Sequence, residues 1–243
     1  MAVSAAGTDV AAAFAELTET LVSGIDIDKY LADVCRHSVG LIGADTAAVV
    51  YTTGQDPARV TAADERGHRL AVRSLEATAS PWAECLVTGT VISVADLTAE
   101  SQRWPWFEQL ARQAGLRAIT VLPVRSLTGV AGALALVGGP VPDARGIQLA
   151  RSLCDAAGYG MVLAEHRSRL EAAVSQLQLA LSSRIVIEQA KGILAERWKV
   201  APDEAFRTLR RHARTTQRRL ADVAHAIIEG TADLLPPDRA WRK

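Results

Sequence analysis

Apolar residues recur first at helical spacing, then in short β-branched runs, then at helical spacing to the end of the chain. Residues 10–22 place Phe14, Leu17 and Leu21 on one helical face. Ile27, Tyr30, Leu31, Val34, Cys35 and Ile42 form a second stripe, with Asp26 or Asp28 as its cap. Residues 47–53 are short, β-branched and aromatic and predict a strand, and residues 54–57 a turn. Residues 60–63 and 69–74 are weaker strand candidates. Residues 81–88 predict one or two helical turns, 90–94 a short strand, and 104–114 a helix with Gly115 as its C-cap. Residues 118–125 and 130–137 flank a hairpin loop at 126–129, the clearest β pair in the chain. Helices, then a mostly antiparallel sheet, then helix again predict an α+β domain.

Past residue 143 nothing reads as a strand. Leu163, Leu170 and Leu177 fall seven apart, and Val174 and Leu181 fill the other seam positions. This is the spacing of a two-stranded coiled coil, and it predicts a dimer-forming helix. The helix continues through 182–197 with Ile187, Ala190, Ile193 and Leu194 as its apolar face. Pro202, with Asp203 and Glu204 in the first turn, opens another helix running to about Arg214. Thr215, Thr216 and Gln217 break it. Leu220, Val223, Ala224, Ile227 and Ile228 define a third amphipathic helix ending at Gly230. The domains expected are 1–160, a linker helix over 161–181, a three-helix unit over 182–230, and a loose tail over 231–243 with Pro236 and Pro237.

Charge changes this picture. The 243 residues carry 27 Lys+Arg and 27 Asp+Glu, net zero, which taken as a total argues against a polyanion-binding protein. The distribution is uneven. Residues 1–179 hold 14 basic and 19 acidic side chains, net −5; residues 180–230 hold 10 and 6, net +4, and the last 13 residues add +1. Residues 205–221 contain six arginines and no acid. At 100° per residue, Arg207, Arg210, Arg211 and Arg214 fall within about 100° of one another, while Ala205, Phe206, Leu209 and Ala213 fall on the far side. Arg218 and Arg219 follow just past the break, and Arg184, Glu188 and Lys191 share another face of the preceding helix. Clustered guanidiniums without interleaved acid suit phosphate. Thr215, Thr216 and Gln217 add neutral donors and acceptors for base edges or sugar hydroxyls. On geometry alone, nucleic-acid binding stands level with a solvated face or an acidic partner.

The ordered blocks Ser182-Ser-Arg-Ile-Val-Ile-Glu-Gln-Ala-Lys-Gly-Ile-Leu194, Asp203-Glu-Ala-Phe206, Leu209-Arg-Arg-His-Ala213 and Leu220-Ala-Asp-Val-Ala224 resemble the ANTAR domain over about 50 residues. The resemblance implies a three-helix unit continuing a coiled coil, which binds paired RNA hairpins in leader transcripts and so keeps a terminator from forming, with dimerisation as the switch. By position, the Ala-Lys-Gly element is Ala190, Lys191 and Gly192, and the Ala-Phe element is Ala205 and Phe206. Phe206 and Gly192 read as packing residues. Arg184, Lys191, Arg207, Arg210, Arg211, Arg214, Gln217, Arg218 and Arg219 are the contact candidates. Family members often have Asn near position 217, where this chain has Gln, and the change alters reach and loop geometry.

The first 160 residues resemble a GAF domain through Thr88-Gly-Thr-Val-Ile-Ser-Val-Ala-Asp-Leu97, Arg103-Trp-Pro-Trp-Phe107, Gly115-Leu-Arg-Ala-Ile-Thr-Val-Leu-Pro-Val124 and Gly132-Ala-Leu134. The two together resemble the GAF–ANTAR regulators of actinobacterial type. The resemblance implies a small-molecule, haem, bilin or redox sensor, or a dimerisation platform, with a ligand pocket walled by residues 80–108. It names no cofactor. The Asn-Lys-Phe-Asp-Glu signature of cyclic-nucleotide binding is absent, Cys85 has no bilin-type His neighbour, and His37 and His68 are isolated. Trp82, Cys85, Trp104 and Trp106 are the candidate pocket residues, set against the commoner fate of large aromatics in a core.

No P-loop, nucleophile elbow, HExxH or clustered His/Asp/Glu set is present, so no enzyme is expected. Cys35, Cys85 and Cys154 are odd in number and widely spaced, neither a disulfide framework nor a CxxC metal site. The N-terminus brings in Asp9, Glu16 and Glu19 where a signal peptide is apolar, and no run reaches the roughly 18 apolar residues of a spanning helix. The expectation is a cytoplasmic homodimer that does not engage a membrane. Two further readings stay open: a DNA-binding regulator using the last two helices, and a dimeric sensor with a protein partner.

Overall fold

The computed structural model describes residues 2–24, 26–52, 57–77, 79–232, 234 and 236. The chain divides into two units, Met1–Ser168 and Arg169–Lys243. The first contains α1 (Ala2–Ser23), α2 (Ile27–Ile42), β1 (Thr46–Tyr51), β2 (Arg59–Ala62), α3 (Glu65–Glu76), α4 (Pro81–Thr88), β3 (Ile92–Val94), a 3₁₀ turn (Leu97–Glu100), α5 (Pro105–Gln113), β4 (Ile119–Ser126) and β5 (Gly129–Val137). Helix α6 (Ala144–Trp198) begins there and ends in the second unit, which adds α7 (Pro202–Thr215) and α8 (Leu220–Ile228). The turn expected over 54–57 lies, but for Pro57, outside the described residues.

Asp26 is the cap of α2: its carboxylate accepts the N–H of Asp28 at 3.0 Å and of Lys29 at 3.3 Å. Asp28, the other candidate, instead receives the Tyr51 hydroxyl and the Arg59 guanidinium. It thereby ties α2 to β1 and β2.

The five strands form one antiparallel sheet in the order β2-β1-β5-β4-β3. In register, Leu134 of the central strand β5 pairs with Val49 on one side and Leu122 on the other. Every residue of β1 is buried, because both faces of the sheet are covered. On one face Ala48, Val50, Val121, Ala133 and Ala135 pack with Leu70, Trp82, Trp104 and Phe107 from the α3–α5 side. On the other, Ala47, Val49, Tyr51, Leu122 and Leu136 pack with Leu17, Tyr30, Leu31, Val34, Leu153 and Ala157 from α1, α2 and α6. Two glycines let α6 lie this close. A Cβ at Gly158 would strike the Arg125 carbonyl of β4, and one at Gly160 would enter the Tyr30 ring.

Residues 69–74 are the middle of α3, not a strand. Gly67, Leu70, Ala71 and Ser74 are its buried positions, at helical spacing. The deciding signal lies upstream. Asp64 Oδ1 accepts the Gly67 N–H at 2.8 Å and the Thr46 hydroxyl at 2.6 Å, so a cap anchored on β1 outweighs weak β propensity.

In the second unit Ala190 and Leu194 of α6, Ala205, Leu209 and Ala213 of α7, and Val223, Ala224 and Ile227 of α8 form a buried cluster. Leu234 joins it at 5% exposure, so the chain still packs past Gly230. Most of the tail expected to be loose lies outside the described residues. All three helices end alike. Val200 N–H donates to Ala195 O, Arg218 N–H to Ala213 O and Thr231 N–H to Ala226 O. The residue before each donor, Lys199, Gln217 or Gly230, has φ of 54°, 54° and 71°.

Candidate nucleic-acid interface

Helix α7 starts at Pro202, whose missing N–H falls where the helix has no acceptor for it, and Asp203 and Glu204 meet the positive end of the dipole. Thr208 and Leu209 turn inward with Ala205 and Ala213. Arg207, Arg210, Arg211 and Arg214 are all exposed on the remaining face. At the C-terminus the Thr215 hydroxyl donates to Arg211 O at 2.9 Å and that of Thr216 to His212 O at 2.8 Å. Gln217, Arg218 and Arg219 then turn the chain into α8, all three exposed. Among the described residues no carboxylate lies within ion-pair distance of any of these six arginines or of Arg184, and Arg184 is also exposed.

Lys191 differs. It is half-buried and paired with Glu188 one turn earlier on α6. Phe206 is half-buried and stands outside the buried cluster. About 100° from Arg207, it falls on the border between the packed face and the arginine face. Gly192 is exposed, and a Cβ added there would meet nothing within 4 Å. No close helix approach within the described chain therefore explains it.

In the first unit Trp82 and Trp104 are each 1% exposed and Cys85 fully buried. Trp82 meets Phe107 edge to face at 5.7 Å and donates from Nε1 to Ala48 O at 3.4 Å. These side chains pack between sheet and helices. Trp106 faces outward at 36% exposure, with the Arg73 guanidinium 5.3 Å from its ring centroid. Both line an open cavity of about 390 Å³ with Glu76, Ala77, Ala79 and Pro105. Arg73 escaped the sequence reading because its segment reads as a strand; the Asp64 cap was the signal that could have found it. Burial raises the thiol pKa of Cys35, Cys85 and Cys154, that of Cys85 to about 11. All three cysteines are free and buried. Among the described residues there is no group of His, Cys, Asp and Glu fit to hold a metal, and no helix long and apolar enough to cross a membrane.

A GAF domain profile matches residues 24–161 and an ANTAR domain profile residues 175–228. No curated relative matches the chain. Solved structures with which it shares similarity include the GAF domain of an Acinetobacter phosphoenolpyruvate-protein phosphotransferase, at 8% identity over 66% of this chain and 97% of that one, TM-score 0.48. Another is the phycoerythrobilin-bound GAF domain of a cyanobacterial phytochrome, at 11% identity over 66% and 97%, TM-score 0.46. A third is the photoproduct state of a GAF domain from Synechocystis, at 13% identity over 60% and 99%, TM-score 0.46. The GAF match covers more than half of the chain and the ANTAR match follows it, so the chain belongs to the GAF family and is a GAF–ANTAR regulator, with a signal-sensing domain ahead of an RNA-binding antitermination domain.

Proposed function

We propose that this protein is a signal-responsive cytoplasmic antiterminator that binds tandem RNA hairpins in leader transcripts as a homodimer. The observation that carries the reading is the arginine face of α7 and its following turn: six exposed guanidiniums within the ANTAR domain, without carboxylate partners among the described residues. Arg207, Arg210, Arg211 and Arg214 hold phosphates, Arg218 and Arg219 extend the track, and Gln217 presents an amide at the turn. Arg184 contributes from α6. Lys191, held by Glu188, is the weakest of the contacts. In the sensor domain Trp106, with Arg73 over its ring, is the wall residue open to a planar ligand. Trp82, Cys85 and Trp104 support it from the core.

Binding of labelled tandem hairpins tests this. Arg210→Ala combined with Arg211→Ala weakens affinity and reduces the slope of log K against log salt by roughly 1.5, about 0.7 to 0.9 for each phosphate that is no longer neutralised. Unchanged binding by the double variant overturns the contact assignment. Tight binding of duplex DNA with no preference for hairpins would favour α7 and α8 acting as a helix-turn-helix instead, and failure to bind any nucleic acid would point to a protein partner.

A further inference from the structure

The exposed side chains of α6 do not keep to a seven-residue repeat. In the second unit Leu170, Val174, Leu177, Leu181 and Ile185 are 67, 51, 71, 61 and 50% exposed along one face, while Leu179, 66% exposed, stands alone about 180° from Leu170. A heptad explains the first four, but after Leu181 it falls on Arg184 and Glu188. The apolar side chain comes one residue later, at Ile185. Eleven residues separate Leu170 from Leu181 and Val174 from Ile185, and eleven more lead from Leu181 to Gly192, where a Cβ would meet nothing. Eleven residues before Leu170 and Val174 stand Tyr159 and Leu163, exposed in the first unit at 70 and 48%, and Tyr159 has no place in the heptad.

The flanks say what covers this stripe. Residues 172–183 contain no Asp, Glu, Lys or Arg, although 172–182 are all exposed. A nucleic acid or a charged partner would call for charge here. Parallel pairing with an identical helix sets each side chain beside its own kind, where like charges repel, and an uncharged flank removes that conflict.

We infer that α6 pairs with α6 of a second copy of this chain on an eleven-residue repeat, with Leu170, Val174, Leu177, Leu181 and Ile185 in the seam. The inference rests on the homodimer reading above and fixes its register. Eleven residues in three turns is 3.67 per turn, close to the undistorted helix, so the two helices run nearly straight with a slight right-handed twist instead of a left-handed supercoil. Ile185 then takes the seam position, and Arg184 sits at its edge, open to RNA, not facing its copy.

Single cysteines in the full-length chain, oxidised and read as disulfide-linked dimer, test the register. The parent chain is the blank, because its three cysteines are buried. Leu177→Cys and Leu181→Cys lie in the seam on either repeat, and Ile185→Cys only on the eleven-residue one. Linkage at all three is the expected result. Linkage at 177 and 181 but not at 185 overturns the inference and leaves the dimer standing, and linkage at none overturns both. Circular dichroism confirms that each variant is helical. Sedimentation gives a second measurement: Ile185→Glu disfavours the dimer as Leu181→Glu does, and a dimer unaffected by Ile185→Glu alone overturns the register.

Discussion

The backbone N–H of Arg218 donates to the carbonyl of Ala213 at 3.0 Å, and this bond holds Gln217 in the left-handed region at φ 54°. A side chain there costs about 1–2 kcal/mol that glycine does not incur, and asparagine incurs less of it than glutamine. Gln217→Gly therefore raises unfolding free energy by about 1 kcal/mol, and Gln217→Asn by less, in chemical denaturation. Destabilisation by both would contradict the closure of α7 described above.

Asp64 joins β1 to α3. Removing its cap with Asp64→Ala costs about 1 kcal/mol. Partial burial alone would raise its pKa, but the Gly67 N–H, the Thr46 hydroxyl and the nearby Arg66 outweigh it and lower the value. A folded pKa below the unfolded one gives stability that is complete above the unfolded value and is lost as pH falls through the folded value. The gap in stability between wild type and Asp64→Ala thus narrows on acidification through the carboxylate range. A gap that widens there would contradict the cap.

The three thiols are silent in the folded state. At pH 8 a chromogenic disulfide reagent labels them at the rate of unfolding, because all are buried and the Cys85 pKa stands at about 11 against an ordinary 9. An acid whose folded pKa is raised stabilises fully below the unfolded value, so this contribution is lost as pH rises from about 9 to about 11. Rapid labelling of any thiol without unfolding would contradict its burial.

Glycines on α6 separate by what surrounds them. Gly160→Ala drives a methyl into the fully buried Tyr30 ring and lowers stability by about 1–3 kcal/mol. Gly192→Ala, which meets no atom of its own chain, raises stability by up to about 1 kcal/mol through helix propensity. Thermal unfolding of the two variants should move in opposite directions.

Much of this was legible in the sequence. The stripe from Ile27 to Ile42, the β pair around residues 126–129 and the arginine face of α7 each follow from spacing within a single element. What escaped depends on partners distant in the chain. Whether 69–74 is strand or helix is decided by Asp64 reaching Thr46, and Trp82 and Trp106 look alike until packing buries one against Phe107 and leaves the other under Arg73. Phe206 lies at a face boundary that a helical wheel locates only to within a residue. The heptad over 163–181 leaves out Tyr159 and Ile185, whose exposure no spacing within the chain foretells.

The charge-free stretch over 172–183 has a practical consequence. In the proposed dimer a seam without ionic groups is indifferent to counterions, whereas the proposed guanidinium–phosphate contacts weaken steeply as salt displaces them. If both hold, a column wash of rising ionic strength strips RNA from the protein while the dimer elutes intact.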